Sequence, residues 1–148
     1  VRTGSDIYKL SDLEGKTLVV QSTTKPEELF LSAEENGLPE LRALYSLQDR
    51  DLIYTTLIKG YADALAAHES AIGQFMKDYS VKYRILDEPL MTAELGVAFA
   101  KGRADGLPQR LTETFRKMLA DGTVREIVSR YLDDPDHYLD GLEGGDNG

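Results

Sequence analysis

Short apolar runs rich in β-branched residues alternate with amphipathic stretches from Lys16 to Asp87, and that rhythm allows few architectures. KTLVVQ (Lys16 to Gln21) follows Gly15 and reads as a buried strand. STTKPEELFLSAEENG then carries helix-start chemistry: Thr24 as N-cap, Pro26 in the first turn, and Glu27 and Glu28 at the positive end of the dipole. Gly37 marks the residue past its end. LRALYS (Leu41 to Ser46) is a second strand. LQDRDLIYTTLIKG is a helix with Leu52, Ile53, Leu57 and Ile58 on one stripe and Gly60 closing it. ADALAAH (Ala62 to His68) is apolar almost throughout, as a parallel strand covered on both faces is. ESAIGQFMKDYS is a helix with Ile72, Phe75 and Met76 inward, and KYRILD (Lys82 to Asp87) is a fourth strand. The expected fold class is α/β, a mostly parallel sheet flanked by helices.

At Pro89 the rhythm changes. GVAFAK (Gly96 to Lys101) reads as a fifth strand, reached without a long helix. Two amphipathic helices follow. Leu107, Leu111, Phe115, Met118 and Leu119 line the first, and Val124, Ile127, Val128 and Tyr131 line the second, with Gly122 between them. From Asp133 onward the chain is acidic and turn-rich, and a frayed tail is expected.

Composition removes several function classes. At 148 residues the chain can bury a core without staples. The formal net charge is −9 and no run of Lys or Arg exceeds two, so nucleic acid is not an expected partner. With no cysteine, thiolate catalysis and Cys-based zinc sites are excluded. His68 and His137 lie far apart without metal-ligand spacing, and DDPDHYLDGLEGGD lacks the acid spacing of an EF-hand. No nucleophile elbow, phosphate loop or dinucleotide glycine pattern is present. No catalytic residue, metal or cofactor is therefore expected. No segment approaches the ~20 apolar residues of a membrane span. The opening VRTGSDIYKL lacks the apolar core of a signal peptide, and a start at Val1 fits a processed or trimmed chain.

Two clusters stand out as candidate ligand contacts. Ser22, Thr23 and Thr24, next to Gln21, occupy a strand-to-helix turn, where backbone N–H groups and hydroxyls suit a carboxylate or phosphate; the plainer reading makes Thr24 only a cap. His68 and Glu69 end an expected parallel strand, the edge where open α/β sheets bind ligands. The plainer reading has Glu69 capping the next helix and His68 bonding a backbone carbonyl. Gln21 and Glu88 either line the same cleft near a hinge or are solvated. Asp63 reads as structural, stabilising a turn, and Tyr8, Tyr45 and Tyr54 read as packing residues more than ligand walls.

The order of these motifs resembles a known family. DLEGKTLVVQSTTKPEELF resembles the opening of lobe two in bacterial extracellular solute-binding proteins of the polar amino-acid type, with the periplasmic-binding-protein type II fold. LIKGYADALAAHESA is similar to that family's Gly…Asp-Ala strand segment, with Gly60, Asp63 and Ala64 in place. EPLMTAELGVAFAKG resembles the stretch returning to lobe one, and LTETFRKMLADGTVREIVSRYL its closing helices, Asp121-Gly122-Thr123 above all. The resemblance runs from about Val1 to Leu132. It implies a crossing strand over 1–10, a lobe-two α/β domain over 11–88, a return strand and lobe-one helices over 89–132, and a flexible tail over 133–148. The N-terminal half of lobe one, which in the family supplies much of the ligand cage, is expected to be absent.

The family usually places an Asp for the ligand's ammonium where His68 stands, and Glu69 follows one position late. It commonly has Gly where Thr23 stands. The resemblance implies a periplasmic or extracellular module that captures a small polar solute, an amino acid or carboxylate, and presents it to a membrane permease. Two alternatives are the sensing ectodomain of a membrane signalling protein and a dehydratase-like enzyme using His68 and Glu69 as an acid/base pair. With half a lobe absent, GVAFAK and the helix from Leu107 leave an apolar face open. Either a homodimer, with exchange of the C-terminal segment as one route, or a rearrangement that covers the patch is expected, together with weak ligand affinity for the lone chain.

Overall fold

In the computed structural model residues 1–92, 96–132, 134–139 and 142 are described. The chain divides into two compact units, Val1–Ala93 and Glu94–Gly148.

The first unit is built on three parallel strands: β1 (Thr17–Gln21), β2 (Ala43–Leu47) and β3 (Ala64–Ala66). Their order is β2-β1-β3, with β1 in the centre. Thr17 to Gln21 run level with Ala43 to Leu47 on one side, and Leu18, Val19 and Val20 with Ala64, Leu65 and Ala66 on the other. Helices α1 (Lys25–Leu31), α2 (Arg50–Lys59) and α3 (Glu69–Asp78) follow the strands in turn, and a 3₁₀ turn (Leu10–Leu13) leads into β1. The expected α/β class with a parallel, helix-flanked sheet is borne out.

Strand alternation assigns each face its cover. Leu18, Val20 and Ala64 pack with Phe30 of α1, Ile7 and Leu13. Val19 packs the opposite way, with Ile53 of α2 and Ala62. Right-handed crossovers to opposite neighbours of β1 require this two-sided arrangement. α3 joins the α2 side, where Phe75, 1% exposed, stacks on Tyr54 at a centroid distance of 4.1 Å and lies against Tyr79 and Tyr83. Tyr79 donates its hydroxyl to Asp51 at 2.8 Å, which ties α3 to the first turn of α2.

Local signals explain most element ends. Asp49 caps α2 by accepting from the Leu52 N–H, and Gly60 ends it in the left-handed conformation at φ 78°. Asp63 holds the amino end of the sheet. Its Oδ2 accepts from the Thr17 N–H at 2.8 Å, its N–H donates to the Thr17 carbonyl at 2.8 Å, and Arg42 reaches both Asp63 and the Thr17 hydroxyl. α1 stops earlier than Gly37 suggests. The Asn36 amide donates to the Leu29 and Ser32 carbonyls, replacing the helix's own continuation, and Gly37 (φ 65°) turns the chain only after that.

Two expected strands do not form. Instead of extending the sheet as KYRILD, Tyr83 makes an isolated antiparallel bridge with Arg2, and the Arg84 N–H donates to the Val1 carbonyl. Arg84 then braces this pairing, donating to the Ser5 and Ile7 carbonyls and lying over the Tyr8 ring. The 1–10 segment is thus not a continuous crossing strand; it holds that single bridge and leads into the 3₁₀ turn.

GVAFAK is the second. It has no ladder partner among the described residues, and Val97 is 69% exposed. A strand exists only through a neighbour's hydrogen bonds, so an apolar run without one stays irregular.

The second unit contains α4 (Leu107–Ala120), α5 (Thr123–Val128) and α6 (Pro135–Leu139). Gly122, at φ 82°, makes the turn between α4 and α5. α4 buries no residue completely, and Leu111 and Phe115 are 40% and 46% exposed. The tail is helical over 135–139, against the frayed reading, because Arg125 grips Asp136 with bonds of 2.7 and 2.9 Å. The rest of the expected tail, 133, 140–141 and 143–148, lies outside the described residues. Among the described residues no helix is long and apolar enough to cross a membrane.

Several surface carboxyls are held below the ordinary aspartate range. Lys16 does this for Asp6, the Tyr8 and Lys9 N–H groups for Asp12, Arg103 for Asp105, and Arg125 for Asp136. A carboxyl whose pKa is lower folded than unfolded adds stability above its unfolded value near 3.8, and that stability is lost as pH falls through the folded value. The thermal midpoint is therefore expected to hold from neutral pH to about 5 and to fall below about pH 4, with Asp136→Asn and Asp12→Asn each flattening the acid limb. Calorimetry across pH 2.5–7 (roughly the span over which aspartates titrate) reads this directly.

Candidate functional site

The strand order creates one special edge. The connection leaving β1 runs to α1 on one face of the sheet, whereas the connection leaving β3 runs to α3 on the other. β1 and β3 are neighbours, so their loops part at the carboxyl edge. This is the topological switch point at which open α/β sheets take ligands. Extending the register past Val20–Ala66 brings Gln21 level with Ala67 and Ser22 level with His68. The two clusters singled out from sequence therefore leave adjacent strands at the same end.

The first cluster is a compact turn. The Ser22 N–H donates to the Leu47 carbonyl at 2.9 Å and continues the β1–β2 ladder. Thr23 adopts φ 60°, a left-handed conformation in which a side chain is strained. Its hydroxyl donates to the Ser22 carbonyl. Thr24 is the N-cap residue by position (φ −112°, ψ 162°) but makes no side-chain cap bond; its hydroxyl donates back to the Gln21 carbonyl instead. The strain makes Thr23→Gly an expected stabilisation of about 0.5–1 kcal/mol, since relief of the left-handed cost outweighs the extra chain entropy of Gly. Urea unfolding measures it.

Glu27 is the residue that sequence reasoning missed. Its Oε2 accepts from the Thr23 N–H at 2.6 Å, and its Oε1 accepts from the Ser46 hydroxyl on β2. The signal was present as Thr24-x-x-Glu27, the spacing at which a helix's third residue reaches back to its start. Here it reaches one residue further, to Thr23.

In the second cluster His68, not Glu69, caps α3. The His68 Nδ1 accepts from the Ser70 N–H at 3.3 Å and lies 2.8 Å from the Ser70 hydroxyl. With Nδ1 accepting, the neutral ring carries its proton on Nε2, as a donor. His68 thus bonds a backbone N–H, not the carbonyl of the plainer reading. Glu69 is exposed in the first helical turn, where its charge suits the dipole. Glu88 serves elsewhere: it accepts from the Leu10 N–H at 2.7 Å, at the start of the 3₁₀ turn before β1. Tyr54 packs in the α2–α3 aromatic cluster, and Tyr8 sits under Arg84. Among the described residues no group of three or more His, Asp or Glu is placed to hold a metal.

Known proteins share the sequence and the fold of this chain. No protein-family model matches the chain. The histidine-binding periplasmic protein of Salmonella typhimurium is 32% identical over 142 residues, covering 90% of this chain and 53% of that protein. The Escherichia coli protein of the same name is 34% identical over 146 residues, again 90% and 53%. The L-cystine-binding protein TcyJ of Bacillus subtilis is 22% identical over 126 residues, covering 85% and 46%. In three dimensions the chain is similar to a crystal structure of the substrate-binding protein of an amino acid ABC transporter, with a TM-score of 0.67 and 25% identity over 90% of this chain and 58% of that one. The chain spans about half the length of the curated relatives it matches (53% of the first).

Proposed function

We propose that this chain, homologous over most of its length to periplasmic amino-acid-binding proteins, is the ligand-binding lobe of a periplasmic or extracellular receptor for a small amino-acid-like solute. The observation that carries the proposal is the divergence of the β1–α1 and β3–α3 loops at the carboxyl edge. Gln21, Ser22, Thr23 and Thr24 offer hydroxyls and carbonyls from one loop; His68 and Glu69 offer an imidazole donor and a carboxylate from the other. A zwitterionic solute suits that pairing, with its cation toward Glu69. The relatives are binding proteins, so binding without turnover is the proposed activity.

Delivery of the solute to a membrane permease is part of the proposal, by analogy with the named transporter protein. So is self-association. α4 leaves Leu111 and Phe115 open to solvent, an apolar stripe that a second copy would cover. A monodisperse monomer by sedimentation, with no uptake of a hydrophobic dye, contradicts the self-association.

A thermal-shift screen of amino acids, amines and small carboxylates tests the main reading. A true ligand raises the midpoint as its concentration rises, in proportion to the logarithm once it exceeds Kd. Failure of every L-amino acid to move the midpoint at ~10 mM, a concentration that saturates even millimolar sites, overturns it.

A further inference from the structure

We propose that the Glu27 carboxylate is a built-in occupant of the β1–α1 turn, which a ligand carboxylate must displace, so that Glu27 sets how far the site favours amines over amino acids. The inference rests on the ligand-binding reading of this edge and names a specificity residue within it.

The turn is where an incoming carboxylate would seek donors, yet three of them are already engaged. The Thr23 N–H goes to Glu27 Oε2 at 2.6 Å, the Thr23 hydroxyl to the Ser22 carbonyl, and the Thr24 hydroxyl to the Gln21 carbonyl. Of these acceptors only Glu27 is a side chain that can rotate away; the other two are backbone carbonyls at the end of β1. Glu27 is also anchored on its far side by the Ser46 hydroxyl of β2, so its charge rests on the β1–β2 side of the turn. A ligand carboxylate reaching Thr23 meets a like charge in hydrogen-bond range of the same N–H. An amine meets no such competition. The bonds holding Glu27 are exposed to solvent, so its displacement is a modest cost that tunes affinity without closing the site.

The test uses matched probes that differ only in the carboxylate: L-histidine against histamine, and L-arginine against agmatine. Calorimetric titration is run on the wild type, Glu27→Ala, Glu27→Gln and Ser46→Ala, with each melting curve recorded. Loss of the competing charge is expected to tighten the amino acids about three- to tenfold and to leave the amines within about twofold. Glu27→Gln keeps the shape of the turn and should follow Glu27→Ala; Ser46→Ala, which frees the anchor, should move affinity the same way by less. Amino-acid affinity unchanged or weaker in folded Glu27→Gln overturns the inference and leaves the receptor reading intact. Absence of binding by all four probes in the wild type and every variant overturns the inference, whereas the receptor reading falls only with the full amino-acid screen above.

Discussion

Phe75→Ala is expected to destabilise the first unit by about 3–5 kcal/mol, a large share of the total stability of a domain this size. Phe75 is the largest fully buried side chain and the only one that Tyr54, Tyr79 and Tyr83 all contact among the described rings. Truncation leaves a cavity beneath three tyrosines. These cannot collapse into it freely, because Tyr79 is held by Asp51 and Tyr83 by its bridge to Arg2. Phe75→Leu, which refills most of the volume, should cost about half as much or less. Denaturant unfolding followed by tyrosine fluorescence reads both.

Asp63→Ala is expected to cost about 2–3 kcal/mol, though its side chain is partly exposed. The reason lies in what it leaves behind. Thr17 is 2% exposed, and its N–H donates to Asp63 at the amino end of the central strand. Removing the carboxylate strands a buried donor and frees Arg42 from one of its partners. Asp63→Asn retains an acceptor oxygen and should recover more than half of the loss, which separates the hydrogen bond from the charge. The same urea titrations, with hydrogen exchange at the Thr17 and Leu18 amides, distinguish local fraying of β1 from global loss.

How much of this was legible in the sequence follows from where each signal acts. β1, β2, β3 and the helices after them were readable because the period of apolar residues, Asp49, Gly60 and the continuous run at Ala62–Ala67 all act within a few residues. KYRILD and GVAFAK carried the same composition and failed, because a strand needs a partner and partners are a tertiary property. Tyr83 found Arg2, and the described residues offered Val97 none.

The site divides the same way. That Thr24 and His68 lie just past their strands was visible, since both follow apolar-to-polar transitions. That they leave neighbouring strands at one edge depends on the order β2-β1-β3, which no local pattern encodes. Glu27 was read only as a dipole charge, because its bond to Thr23 depends on the left-handed turn and its bond to Ser46 on strand pairing. The exchange of cap roles at His68 and Glu69 was one residue out, the usual uncertainty of a helix start.

The central claim is that one solute bridges the loops leaving β1 and β3. Titrating isotope-labelled protein with an amino acid that raises its thermal midpoint, and following backbone amide shifts, tests it most directly. The account predicts the largest shifts at Gln21 to Lys25 and at Ala67 to Ser70, saturating together with one dissociation constant. Shifts confined to α4 and α5, or two loops responding with different constants, would contradict it.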